Sequence, residues 1–229
     1  FLVRLSIMKS YTLVTLAIIG FAVAESIAPT ADVSTVPDFV VEGTCPVVDE
    51  KALWDKQKPN HPKFAGQWYE IARTANPYQL VKDCTFSQLT HLHDNGFQHV
   101  AMGLAADGSL IRRDGVTFPF ITGANAATPH LSIQFESPSF AAPFVILDTD
   151  YDSYACIYSC MDFNNRYVSD FGFIWSRVAD MHPIKYDKCK AAFASISVDT
   201  GRLVTVKHGD DCNYANLQAR LLSGGKTEL

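Results

Sequence analysis

Six cysteines are the residues with the most obvious chemistry in this sequence: Cys45, Cys84, Cys156, Cys160, Cys189 and Cys212. Thiols serve as metal ligands, as nucleophiles or as disulfides. Zinc sites favour closely paired ligands, and Cys156-x-x-x-Cys160 is the one close pair here. An even count in a secreted chain reads instead as three disulfides, with fifteen connectivities left open by spacing alone. With all six paired, no thiol remains for nucleophilic attack. No G-x-S-x-G or H-E-x-x-H run is present. His91-x-His93 puts two imidazoles on one strand face, a conceivable metal or haem site, although exposed strand histidines are the commoner occurrence. The reading is therefore a chain with no catalytic residue and no metal ligand, a binding protein and not an enzyme.

The redox context comes from the N-terminus. Lys9 after Met8 forms a positive n-region, Leu13 to Val23 an apolar stretch, and Ala22-Val23-Ala24 a small-x-small cleavage site. Residues 1–24 are thus expected to be upstream sequence and a secretory leader, and the mature protein to be secreted and extracellular. The apolar run is too short to span a bilayer, so no membrane span is expected. The chain carries a net charge of −5. Losing Arg4 and Lys9 with the leader makes the mature domain more acidic, which argues against nucleic acid and anionic membranes as partners. Residues 25–36 are small and polar and are expected to be disordered.

The elements that must position the cysteines follow. A short helical turn is expected over 49–56 with Trp54 as its apolar anchor. Strands are expected at about 66–76, 83–93, 96–105, 109–119, 129–136, 143–149, 153–161 and 170–178. Asn95-Gly96 and Asp107-Gly108 are hairpin signals, and Asp162 to Arg166 closes the seventh strand onto the eighth. Connections this short imply antiparallel neighbours in up-and-down order. Eight such strands close into a barrel, which removes exposed sheet edges. One helix follows: Pro183 suits its first turn, and Cys189, Ala192, Phe193 and Ile196 form an apolar stripe that packs it outside the barrel. A ninth strand is expected at Leu203 to Lys207. The fold class is all-β: an eight-stranded up-and-down antiparallel barrel with one C-terminal α-helix outside.

Three motifs then carry a resemblance. Gly66-Gln67-Trp68-Tyr69 looks like the first-strand G-x-W of the lipocalins. Thr149-Asp150-Tyr151 resembles their T-D-Y turn, and Phe173-Ile174-Trp175-Ser176-Arg177 their last-strand motif ending in Arg. The resemblance implies a lipocalin domain over 37–214, followed by a tail at 215–229, with a calyx that holds a hydrophobic small molecule. Trp68 would fill the narrow end, and the Arg177 guanidinium would lie across its indole, worth ~0.5–2 kcal/mol. Both are read as structural residues, not ligand contacts.

Within the lipocalins the sequence resembles the crustacyanins, carotenoid-binding proteins, and their A-type subunits in particular. The stretches that carry this are Val36 to Val41, Asn76-Pro77-Tyr78-Gln79-Leu80, Phe140-Ala141-Ala142-Pro143 and Tyr154 to Cys160. The resemblance implies the pairs Cys45–Cys160, Cys84–Cys212 and Cys156–Cys189, each bridge worth ~3–5 kcal/mol for loops of this length. Cys156 and Cys160 lie four apart on a strand and share a face. That face would be the outer one, leaving Ala155, Ile157 and Ser159 inward unless a bulge reverses the assignment.

The same resemblance names astaxanthin as the ligand, with colour tuning through polarisation and hydrogen bonding at its keto ends. It implies polar contacts from Gln79, Ser87, His130 and Ser132. On hydrophobicity alone, Leu131, Ile133 and Phe135 would be the inward face of that strand; the family placement is followed here. Leu89 stands where the family has a tyrosine, which removes one polar contact. Phe171 and Phe173 share parity with Trp175 and would line the cup. Phe140 and Phe144 would serve the ligand or a partner subunit. A strand of ~9 residues spans ~30 Å, about the length of a carotenoid, and a tilted barrel is shallower. Part of the ligand would protrude, and a homo- or heterodimer with another lipocalin subunit, or a larger assembly, would cover it. The competing functions are a bilin or retinoid carrier and a lipocalin isomerase.

Overall fold

Turn residues in left-handed backbone conformation fold the chain back on itself at short intervals. Asn95, Gly108, Asn164 and Asn165 have φ of 62°, 81°, 61° and 55°, a region that Gly and Asn enter at the lowest cost. The computed structural model describes residues 40–75, 79–93, 95–120, 130–136 and 140–222. The expected leader and polar segment (1–36), Asn76-Pro77-Tyr78 and the end of the tail lie outside these residues, as does the side chain of Trp54.

The barrel strands are β2 (Gly66–Thr74), β3 (Asp83–His91), β4 (Phe97–Leu104), β5 (Leu110–Phe120), β6 (His130–Phe135), β7 (Phe140–Thr149), β8 (Tyr154–Phe163) and β9 (Tyr167–Ser176). Each pairs antiparallel with the next, and β9 pairs with β2 to close the ring. Two short strands attach outside this ring: β1 (Val41–Glu42) on β9, and β10 (Leu203–Thr205) on β2. The eight expected strands are all present. Their boundaries move by up to a few residues: β7 and β9 each begin three residues earlier than expected, because cross-strand pairing carries them past the apolar stretch that marked them.

Helix α1 (Glu50–Gln57) runs into a 3-10 segment, Lys58–Phe64, that leads to β2. Helix α2 (Pro183–Ser195) starts with Pro183 in its first turn and with the His182 side chain accepting the Ile184 amide. It lays Cys189 and Phe193 on the outer barrel face with Ile71, Tyr154, Cys156, Tyr158 and Ile174. Phe193 is fully buried, worth about 1.5–3 kcal/mol. Its ring lies 3.2 Å from where a β-carbon on Gly172 would stand, a tight contact that a larger residue there would relieve only by a shift of a few tenths of an ångström. A further helix, α3 (Tyr214–Leu222), was not expected from the sequence. It begins one residue before the expected tail (215–229) and packs Leu217 with Cys84, Phe86, Val100, Met102 and Cys212.

The disulfides are Cys45–Cys160, Cys84–Cys212 and Cys156–Cys189. They are the pairs the resemblance implies. β8 pairs with β9 along its whole length without a register shift, so its two-residue alternation is unbroken. Cys156 and Tyr158 join the outer cluster, while Ile157 and Ser159 face the interior.

Candidate functional site

One end of the barrel is sealed. The β2 entry Gly66 has φ +103°, and a β-carbon there would stand 3.0 Å from Arg177 Nη1. Glycine therefore permits both the turn and the approach of the guanidinium. Trp68 is fully buried and its Nε1 donates to the Phe64 carbonyl at 2.8 Å. Phe64, arriving on the 3-10 segment, stacks against Trp175 at 6.3 Å and lies 5.0 Å from Trp68. Leu89, Phe97, Leu131, Ile146 and Ala155 complete this apolar plug.

Arg177 locks the seal from below. Its Cζ sits 3.7 Å from the Trp68 ring centroid. Its nitrogens donate to the carbonyls of Tyr151 (3.1 Å), Gln67 (2.9 Å) and Lys63 (2.9 Å), so one guanidinium ties three chain segments together. Burial pulls its pKa down to about 10, which leaves it cationic at neutral pH. The turn beside it is built around Asp150, whose carboxylate accepts from the Ser153 and Tyr154 amides and from Lys185 of α2. Although burial opposes ionisation, those bonds hold the carboxyl below the usual carboxylate range.

Above the plug lies a cavity of about 400 Å³, within the range of small-molecule sites. Its wall is mostly apolar: Val81, Ala101, Ile133, Phe135, Phe144, Ile157, Phe171, Phe173 and Trp175. Gln79 and Leu80 come from the segment joining β2 to β3, at the end of the barrel opposite the plug. Ser87 and His99 supply a polar patch deeper in. His99 is buried, with Nε2 2.8 Å from Ser87 Oγ and Nδ1 3.4 Å from Thr117 Oγ1. Burial first, and the nearby Arg113 cation second, push its pKa down to about 3, so the imidazole is neutral. Two lining residues bear charge, Glu70 and Arg113. Glu70 is paired with Arg73 at 2.5 Å, and Arg73 also donates to the Lys82 carbonyl.

No protein-family model matches the chain. Individual proteins do. The crustacyanin-C1 subunit of Homarus gammarus is 48% identical over 181 residues, covering 78% of this chain and 96% of that protein. The crustacyanin-A1 subunit of the same species is 47% identical over the same span and coverage. An apocrustacyanin C1 crystal structure superimposes with a TM-score of 0.75 at 45% identity, over 80% of this chain and 99% of the other. The chain belongs to the crustacyanin family of lipocalins. Its near-equal identities to the A1 and C1 subunits do not single out the A type.

In this crustacyanin-family barrel, five residues expected from the sequence line one cavity: Gln79, Ser87, Phe144, Phe171 and Phe173. Leu89 lies instead among the plug residues with Trp68 and Phe97. The orientation expected for β6 is corrected. Leu131 joins the plug and Ile133 and Phe135 line the cavity, whereas Ser132 is not among the lining residues and its hydroxyl donates to the Ala142 carbonyl at 3.2 Å. The apolar alternation was the better guide, because burying three hydrophobic side chains outweighs a preference drawn from analogy. His130 and Phe140 pair in the sheet with Phe120 and Phe135, but their side chains lie outside the described residues.

His99 and Arg113 were missed. Arg113 stands in the run Arg112-Arg113-Asp114, which reads as a solvated charge cluster; strand alternation could have separated the two arginines. His99 precedes Val100 and looks like any strand histidine. The expected pair His91 and His93 does not share a strand face, since β4's partner β3 ends at His91 and His93 lies in the exposed turn. Among the described residues no group of three or more His, Cys, Asp or Glu is arranged to hold a metal, and no helix is long and apolar enough to cross a membrane.

Proposed function

We propose that this protein is a secreted carrier of a carotenoid of the astaxanthin class, and that it tunes the pigment's colour. The observation that carries the reading is a cavity with aromatic and aliphatic walls, sealed at one end, that places Gln79 and Ser87 at different depths. A long apolar ligand with a polar group at each end is the chemistry such a lining serves. The polyene would lie against Phe144, Phe171 and Phe173, with Ser87 and its partner His99 meeting a keto oxygen in the depth and Gln79 nearer the mouth. Hydrogen bonding to a keto end withdraws electron density from the conjugated chain and shifts its absorption.

Binding, not catalysis, is the role this supports. All six cysteines are paired, so the thiol chemistry of a lipocalin isomerase has no nucleophile here. A ligand about as long as a strand extends beyond a tilted barrel, and a second lipocalin subunit, as a homo- or heterodimer, would cover the protruding part. The relatives named above are themselves subunits.

The test is a visible spectrum of the purified protein titrated separately with astaxanthin, biliverdin and retinol. A large red shift with astaxanthin alone is the expected result. An unshifted carotenoid spectrum together with tight biliverdin or retinol binding overturns the proposal in favour of a bilin or retinoid carrier.

A further inference from the structure

The disulfides sit in unlike surroundings. Cys156 and Cys189 are fully buried beneath α2, walled in by Ile71, Tyr158, Ile174 and Phe193. Cys84 and Cys212 are 1% and 7% exposed and lie among Phe86, Met102 and Leu217, under α3. Cys45 and Cys160 are both only half-buried. Cys160 shares the outer face of β8 with Cys156, but it stands one outward position beyond the Tyr158–Gly172 rung on which Phe193 rests. An attacking thiolate must reach a bridge sulfur, so access decides which disulfide reacts.

What the accessible bridge holds is held by little else. β1 pairs with β9 only through Val41 with Val168 and Glu42 with Tyr167. The Gly43 amide adds one bond to the Arg166 carbonyl at 2.8 Å. Glu42 and Arg166 stand 3.8 Å apart with side chains 75% and 66% exposed, a pair worth little in water. No residue from 40 to 49 is buried, and a strand this short has a marginal hold without a buried side chain. The hold changes at α1. The Asp49 carboxylate accepts the Ala52 amide at 2.9 Å, and Gln57 Nε2 donates to the Ile146 carbonyl at 2.7 Å. Helix α1 is therefore anchored by its own contacts. The barrel ring does not depend on β1 either, since β9 keeps its pairings with β8 and β2.

We propose that Cys45–Cys160 is an exchange site for low-molecular-weight thiols, through which the β1 segment is unlatched from a barrel that stays folded. The thiolate of a small thiol attacks one bridge sulfur, the sulfur–sulfur bond breaks, and the other cysteine leaves as a thiolate. The product at this stage is a mixed disulfide between the small thiol and one cysteine. A second small thiol attacks that mixed disulfide and expels the second cysteine. Two small thiols are thereby oxidised to one disulfide, and Cys45 and Cys160 are reduced by two electrons and take up the two protons. Residues 40–49 then leave β9, and its edge at Tyr167 and Val168 loses its partner. Both lie at the mouth end of the barrel, away from the Trp68 plug. The buried bridges react only when α2 or α3 lifts, so local unfolding limits them.

The experiment incubates the full, disulfide-bonded protein with reduced glutathione in mildly alkaline buffer, alkylates samples at intervals and maps the labelled cysteines by mass spectrometry. Cys45 and Cys160 are expected to become labelled or glutathione-bound about tenfold or more faster than the other four. Equal rates, or earlier reaction of either buried bridge, overturn the site. Amide hydrogen exchange on the selectively opened protein then reads the latch. Faster exchange within 40–49 with unchanged protection of β2 to β9 is the expected result, and unchanged protection of 40–49 overturns it. Cys45→Ser with Cys160→Ser should show the same exchange pattern without any thiol. Loss of the barrel in that variant would overturn the claim that the bridge holds only the β1 segment.

Discussion

Arg177 lies over the Trp68 ring, its guanidinium carbon 3.7 Å from the indole centroid. The same guanidinium caps three backbone carbonyls from the 3-10 segment, β2 and the β7–β8 turn. The cation therefore acts as a clasp on the closed end, and the cavity's depth is set by what the clasp holds in place.

Replacing Arg177 by Met keeps most of the apolar stem and removes the fork. Three carbonyls lose their donor and the cation–π contact goes, so the barrel is expected to lose about 2–4 kcal/mol. Urea denaturation checks this. Arg177→Lys, which restores charge but not the planar fork, should recover less than half of the loss.

Acid should weaken the fold through its buried histidines before it reaches the carboxylates. His61 is buried beneath the plug, its Nε2 2.7 Å from the Asn95 carbonyl and its ring 4.7 Å from Phe97. Burial, against the opposing Asn95 bond, lowers its pKa to about 4. An unfolded histidine titrates near 6.5. Between those values the unfolded chain binds a proton that the native chain does not. Stability from this residue is fully present above about pH 6.5 and is lost as pH falls to about 4, a loss of roughly 3 kcal/mol. His99 extends the same trend to about pH 3. Denaturation midpoints should hold level from pH 7.5 to about 6.5 and then fall toward pH 4, and His61→Gln should flatten that slope.

The Cys84–Cys212 bridge spans 128 residues and anchors the segment that leads into α3. Cys84→Ser with Cys212→Ser should cost about 2–5 kcal/mol. The helix, held otherwise by Leu217 and Tyr214, should be the first part released. Limited proteolysis followed by mass spectrometry should find new cleavage between residues 207 and 222 while the barrel remains intact.

Ala101 is the smallest side chain on the rung it shares with Ser87 and Arg113. Ala101→Phe fills that notch from the wall outward. Astaxanthin affinity is expected to drop about tenfold or more, with the near-ultraviolet circular dichroism of a folded barrel retained. An unchanged affinity would place the ligand elsewhere in the cavity.

Much of this architecture is legible in local signals. Asn95, Gly108 and Asn164-Asn165 mark hairpins because few residues enter left-handed backbone cheaply, and the Cys156/Ile157 alternation assigns faces because β8 has no bulge. Helix α3 escaped notice because Tyr214–Leu222 follows a loop and has no isolated stability; it is held by Cys212 and by the outer face of β3 and β4. The site was harder to read. Gln79, Ser87, Phe144, Phe171 and Phe173 could be named from resemblance, but β6 went the other way, where its own apolar pattern was the sounder signal.

What the sequence alone determined is the class of object: eight strands from periodicity and turn chemistry, and a resemblance to the crustacyanins from motifs, which are local in the chain. The three cysteine pairs and the sealed end at Trp68 and Arg177 were implied by that resemblance, since spacing alone left fifteen pairings open. What only the tertiary structure decided is the interior's polarity. Ser87, His99 and Arg113 are far apart in type and context along the chain, and Arg113 reads as a surface charge. They meet because antiparallel register sets neighbouring strands level, and because Gly115 leaves room for the Phe135 ring that lies against the Arg113 guanidinium. Register and close approach are properties of the closed sheet, so no single segment could announce them.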